Sequence, residues 1–260
     1  MKLSISTHLD YDFPGPSDVM LQLEAAILPE QRIERANIVL PPTDHFARLP
    51  GHNSIGDRIC LRVQGNLNVQ YEGIVEVQRL GADISQLSAV PPHLLPAETI
   101  EYLMPSRFCP SDEFHALVEA DFGGYFGGAR VAAMRDWIER SLDYVPGSSS
   151  AMTGAMETYI SRKGVCRDFA HLLVTMVRAS GIPARYASVY GPNVEPQDFH
   201  SVAEVFLDGT WYPVDATSMV TSQDMAKIGV GRDAADVSFL TSYGPAQLNE
   251  QTVSVAVLTE

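Results

Sequence analysis

Three cysteines in 260 residues, at positions 60, 109 and 166, are too few and too scattered for a disulfide framework, and none forms a Cys-x-x-Cys pair of the kind that binds zinc. Positive charge is also scarce: 18 Lys and Arg stand against 32 Asp and Glu, for a formal net charge of −14. A surface of that sign repels polyanions, which argues against nucleic acid and anionic membrane as partners. No stretch approaches about eighteen uninterrupted apolar residues. The opening Met1-Lys2-Leu3-Ser4-Ile5-Ser6 lacks the charged start and long apolar run of an export signal, so the cytoplasm is the expected location. No Gly-Lys-Ser/Thr element follows the glycine-rich segment at 123–128, which excludes a phosphate-binding loop of that type. No low-complexity tract or internal repeat is present, and no cofactor or metal is implied.

What is present suffices for a full core. At 45% hydrophobic and 19% charged residues, the chain fits one large or two small domains. Residues up to about 90 read as β. Leu3, Ile5, Thr7 and Leu9 alternate, as do Leu21, Leu23, Ala25 and Ile27, then Ile59, Leu61 and Val63, with Gly65-Asn66 as an expected hairpin turn before Leu67, Val69 and Tyr71. This predicts a small β-sandwich domain over 1–95. Pro91-Pro92, Pro96, Pro105 and Pro110 mark a connection. Beyond it, over 96–260, the texture turns helical. Ser111 or Asp112 can cap a helix through Ala120, and Ala129–Leu142 reads as another. Between them, Gly123-Gly124-Tyr125-Phe126-Gly127-Gly128 reads first as an interhelix turn and second as a hinged loop beside a cleft. Alternation at Val253, Val255 and Val257 predicts a final strand.

Cys166 opens a helical stretch. Phe169, Leu172, Leu173, Met176 and Val177 recur at the spacing of one buried helix face, and Gly181 then Pro183 end it. A helix N-terminus carries free N–H groups and partial positive charge, which favour thiolate over thiol. Asp168 in the first turn stabilises the helix but opposes the thiolate, so a base must supply part of the activation. Taken alone, Cys166 reads as a small buried hydrophobe; partners downstream change that.

Those partners lie on a hairpin. His200–Leu207 and Thr210–Asp215 flank Asp208-Gly209, a two-residue turn signal. If Leu207 pairs with Thr210, Val202 falls opposite Asp215 and His200 becomes its diagonal neighbour on one face, so that Asp215 can orient the imidazole. A one-residue slip separates them. Glu204 shares the His200 face and is the alternative orienting acid. A metal set of Cys166, His171 and His200 is disfavoured, because His171 stands about 140° around the helix from Cys166.

These segments resemble the bacterial transglutaminase-like proteins, a branch of the papain-like cysteine protease and transglutaminase superfamily. The matching pieces are Tyr144-Val145-Pro146-Gly147, Gly164-Val165-Cys166-Arg167-Asp168-Phe169-Ala170-His171, Gly181-Ile182-Pro183-Ala184-Arg185 and the hairpin from His200 to Thr217. The resemblance implies an α+β protein: a papain-like, transglutaminase-like catalytic core with a helix end packed on an antiparallel sheet, preceded by a β domain. It also implies a thiol nucleophile at Cys166, a base at His200 and an orienting acid at Asp215.

Two departures bear on the shape of the site. His200-Ser201-Val202 stands where the family often has His-Ala-Trp, and Asp215-Ala216-Thr217 where it often has Asp-Pro-Thr. The backbone N–H of Cys166 is a natural oxyanion donor; Tyr159 and Trp137 are considered as second donors, although both sit in apolar helical patterns and read first as core. The expected activity is thiol-dependent hydrolysis of a peptide or isopeptide amide through an acyl-enzyme, with Val202 in place of an aromatic leaving that intermediate open to water. The alternatives are protein-glutamine transamidation and an inactive binding or scaffold protein of the same fold.

Overall fold

The computed structural model describes residues 1–258. Strands β1 (Lys2–Leu21), β2 (Gln31–Val39), β3 (His45–Pro50) and β4 (Asp57–Val77) come first. Then follow α1 (His115–Phe122), α2 (Gly127–Ser141), β5 (Asp143–Tyr144), α3 (Ala155–Ser161), β6 (Lys163–Gly164) and α4 (Cys166–Ala179). The chain closes with β7 (Ala184–Tyr190), β8 (His200–Leu207), β9 (Thr210–Val214), β10 (Ala226–Gly231), β11 (Leu240–Ser242) and β12 (Gln247–Val257).

β1 and β4 are unusually long and pair along most of their length, so four strands stand abreast at each end of one six-stranded sheet: β12-β1-β4-β2 and β11-β1-β4-β3. The strands expected in the sandwich are hydrogen-bonded as one continuous sheet, and residues from both of its ends enter one core. Gly65-Asn66 does not turn a hairpin; β4 runs through it. Opposite lies Pro14-Gly15-Pro16 of β1, where three residues face Gln64 alone between the pairs Phe13↔Gly65 and Ser17↔Val63. Proline has no N–H for the ladder, so β1 bulges there while Gly65, at φ +82°, absorbs the bend. The sheet also draws on both ends of the chain: Val253 and Val255 of β12 join the core of Leu3, Ile5, Leu9 and Val69. Sheet membership thus does not stop at a boundary near residue 95.

The second sheet is antiparallel, in the order β10-β7-β8-β9. Helix α4 lies against β7 and β8 and is flanked by α1, α2 and α3. All but its first two residues are buried, as befits a helix enclosed on every side. Phe169, Leu172, Leu173, Met176 and Val177 enter one core with Ala203, Val205 and Leu207 of β8. The two sheets are joined by Gln31, whose amide donates to Ala26 and Lys227 carbonyls at 2.7 and 2.8 Å and accepts from the Lys227 N–H at 2.6 Å. No helix among the described residues is long and apolar enough to cross a membrane.

Candidate active site

The hairpin holds the register that parity predicts: Leu207 pairs with Thr210 and Ala203 with Val214. Asp208 and Gly209 both have positive φ, at 45° and 78°, which matches the twist that a two-residue connection demands. His200 and Asp215 consequently meet, with Nε2 3.0 Å from Oδ2. Both are buried.

Asp215 is fully committed. Its Oδ2 also accepts from the Met219 and Val220 amides at 3.1 and 3.0 Å, and Oδ1 accepts from the Thr217 amide and hydroxyl at 2.8 and 2.7 Å. Burial opposes ionisation, but the His200 ring and these donors outweigh it and hold the carboxyl below its ordinary range. Ala216 in place of proline leaves Thr217 able to grip the acid.

Cys166 takes the first helical position of α4. The helix is entered through Val165, whose N–H donates to Asp168 Oδ2 at 2.9 Å. Gly164 is required there, since a Cβ would come within 2.7 Å of the Asp168 Cβ. Ser149 Oγ donates to Asp168 Oδ1 at 2.9 Å. The acid is thus absorbed in backbone capping and in the 149–150 loop. The thiol lies 3.9 Å from the Phe199 carbonyl, one residue before His200.

Burial alone would lower the pKa of His200. Hydrogen bonding to Asp215 and to Cys166, with the charge of both, instead raises it to about 10. The ring nitrogen not used by Asp215, Nδ1, has no other hydrogen-bond partner and is the one free to serve the thiol. The structure therefore brings Cys166, His200 and Asp215 together.

Glu204, the alternative acid, is occupied elsewhere. It accepts from Arg185 Nε at 2.8 Å and pairs with Lys227. Burial works against its charge, but the two cations hold its pKa down to about 2. His171 is also apart from the thiol chemistry: its Nε2 accepts from the Ala234 amide at 3.1 Å and its ring stacks on Phe108. Among the described residues, no group of three or more His, Cys, Asp or Glu could hold a metal ion.

Tyr144 was not singled out by its spacing. The two-residue parallel bridge of β5 with β6 sets it beside Cys166, where its hydroxyl is close to both the thiol and the backbone N–H. Burial first, and the charge of Cys166 second, push its pKa up to about 12, so it stays a hydrogen-bond donor. Tyr159 and Trp137, the donors considered from sequence, stack on each other and on Arg162 within the helical core.

The thiol opens into a cleft of about 430 Å³ whose lining includes Phe108, Tyr186, Ser201, Phe199 and Phe239. Ser201 does contact the cleft, sharing a hydrogen bond with the Tyr186 hydroxyl. Val202 does not: strand alternation turns it to the opposite face, into a cluster with Ala187, Val189 and Val230. It does not line the cleft into which the thiol opens. The Gly123–Gly128 segment joins α1 to α2 and is absent from the cleft lining.

The same fold occurs in known proteins. The pattern of the transglutaminase-like superfamily matches residues 118–216, a span that holds Tyr144, Cys166, His200 and Asp215. A crystal structure of a candidate cysteine protease from Cytophaga hutchinsonii superposes with a TM-score of 0.92 at 31% identity, covering 100% of this chain and 91% of that one. An uncharacterised Mycobacterium leprae protein is 25% identical over 258 residues, 92% of this chain and 90% of its own. An uncharacterised Mycobacterium tuberculosis protein is 32% identical over 145 residues, which span 49% of this chain and 46% of that protein. With fold and sequence in agreement from end to end, the chain belongs to the transglutaminase-like superfamily.

Proposed function

We propose that the protein is a thiol-dependent hydrolase of peptide or isopeptide amides, with Cys166 as nucleophile, His200 as base and then acid, and Asp215 as the group that orients the ring. The observation that carries this reading is the position of His200, bonded to a saturated carboxylate through one nitrogen and open to the thiol through the other. His200 takes the Cys166 proton through Nδ1, and the thiolate attacks the substrate carbonyl carbon. The developing oxyanion is met by the Cys166 N–H at the helix start and by the Tyr144 hydroxyl. The imidazolium returns its proton to the leaving nitrogen as the C–N bond breaks. Water, deprotonated by His200, then attacks the thioester and releases acid and free thiol.

The Cytophaga hutchinsonii likeness supports hydrolysis over amide exchange. The test supplies an activated acyl donor with and without a lysine analogue and quantifies free acid against amide. Free acid is expected to dominate. A majority of amide at modest amine would make the enzyme a transamidase, and no Cys166-dependent product from any donor would leave only a binding role.

A further inference from the structure

One end of the Cys166 cleft carries charge of the sign that is in the minority in this chain. Arg107 and Arg167 both line it, and both guanidiniums lie over the ring of Phe108, at 4.8 and 5.7 Å from its centroid. Arg167 is tied down: its Nη2 donates to Ser149 Oγ and the Ser150 carbonyl and touches Asp168 Oδ1 at 3.3 Å. Arg107 is not. It is exposed, and no carboxylate among the described residues forms an ion pair with it; its Nη2 rests 3.8 Å from the Met152 sulfur.

The acids nearest this end are spent. Asp168 caps Val165 and holds Ser149. Asp233, buried, accepts from the Phe108 and Ala235 amides at 3.0 and 2.9 Å. The carboxylate that lines the cleft is Asp198, whose Oδ1 accepts from Gln251 and from the Phe199 amide; it forms no ion pair with Arg107. A guanidinium stacked on an aromatic face keeps its in-plane N–H groups free, and that edge matches a carboxylate in two parallel bonds.

We propose that Arg107 selects acyl donors that carry a carboxylate next to the scissile bond. The preference rests on the hydrolase reading for its substrate, but not for its measurement. Arg107 combines three properties at this mouth: it lines the cleft, it is exposed, and its guanidinium edge has no carboxylate partner among the described residues. The carboxylate can be an acidic side chain or a peptide C-terminus, since Arg107 recognises the same group in both.

The first measurement compares alkylation of Cys166 by iodoacetate and by iodoacetamide, which attack the same thiolate and differ in one negative charge. In Arg107→Gln the iodoacetate-to-iodoacetamide rate ratio should fall by about fivefold, and in Arg107→Glu further still, with added salt shrinking the difference. A ratio unchanged in both variants overturns the inference. The second measurement uses three peptides of one sequence: Glu beside the scissile bond, Gln there, and Gln with a free C-terminal carboxylate at the same distance. Either acidic form should be cleaved about tenfold faster in kcat/KM than the neutral one, with the gap closing in Arg107→Gln. Equal cleavage of all three rejects acidic selection while the hydrolase stands. If no peptide is cleaved although Cys166 alkylates, the hydrolase reading fails and the reagent ratio alone decides whether Arg107 gathers anions.

Discussion

His171 and His200 are both sealed from solvent, yet their pKa values move in opposite directions. His171, in the second turn of α4, stacks on Phe108 at 5.1 Å and packs beside Tyr186. Burial, then the charges of Arg167 and Arg178, drive its pKa well below 6.5, and its Nε2 is fixed as an acceptor by the Ala234 amide. His200 suffers the same desolvation but lies between a carboxylate and a thiol, and its pKa rises. Enclosure alone disfavours the charged form of a histidine. At position 200 two acidic partners favour the protonated ring more than burial penalises it.

The contrast breaks most visibly in turnover. Cys166→Ala and His200→Ala should each cost more than about 10⁴-fold, with the double variant little worse than either, because groups that act as one unit lose rate non-additively. His171→Gln keeps an acceptor for the Ala234 amide and should retain most of the turnover. Steady-state assays on the best acyl donor decide it; a loss in His171→Gln equal to that in His200→Ala would erase the distinction.

Asp215→Asn removes one of the two acids beside His200. Turnover should fall by about 10²–10⁴-fold as the ring loses its oriented tautomer. A partner that raises the His200 pKa is lost, so the alkaline limb of the pH–rate profile, which needs the imidazolium, should move to lower pH. A profile that does not move would mean that Asp215 holds the turn and not the ring.

Glu204 offers the control for a buried acid outside the site. Glu204→Gln leaves Arg185 without its anion and Lys227 with Glu30 alone, and should cost about 3–5 kcal/mol of stability. A carboxylate with a depressed pKa adds stability above its unfolded value, 4.5, and that contribution is lost as pH falls toward about 2. The wild-type curve should therefore descend through that window, and the variant should be flatter there in denaturant melts. Crippled turnover in well-folded Glu204→Gln, beside a harmless Asp215→Asn, would reverse the assignment of the orienting acid.

What could be read from the chain follows from how local each cause is. The pairing of His200 with Asp215 depends on one turn, Asp208-Gly209, and on parity, so it was visible in the spacing. The position of Cys166 at a helix start followed from the apolar spacing of α4. Tyr144 reaches the thiol only through the bridge of Asp143-Tyr144 to Lys163-Gly164, segments that no periodicity links. The amides of Met219 and Val220 come to Asp215 through an irregular loop, which leaves no pattern. The single sheet was hidden for a related reason. A proline bulge in β1 and a glycine bend in β4 look like turns when each strand is read without its partner.

The smallest effect separates the two histidines by stability alone. A base whose native pKa is depressed stays unprotonated in the fold while the unfolded chain takes up a proton below its ordinary value, 6.5. The stability that His171 contributes is thus fully present above that pH and is lost as pH falls below it, at up to about 1.4 kcal/mol per pH unit. His200 has the opposite sign: its contribution is present below 6.5 and is lost as pH rises toward about 10. Urea melts of the wild type and of His171→Gln, taken in steps from about pH 8 to pH 5, isolate the first of these. The variant should start less stable, having lost the ring stack on Phe108, and should then lose less stability on acidification. Parallel curves would mean that His171 takes up its proton in the native fold, and the difference between the two buried histidines would not be one of charge.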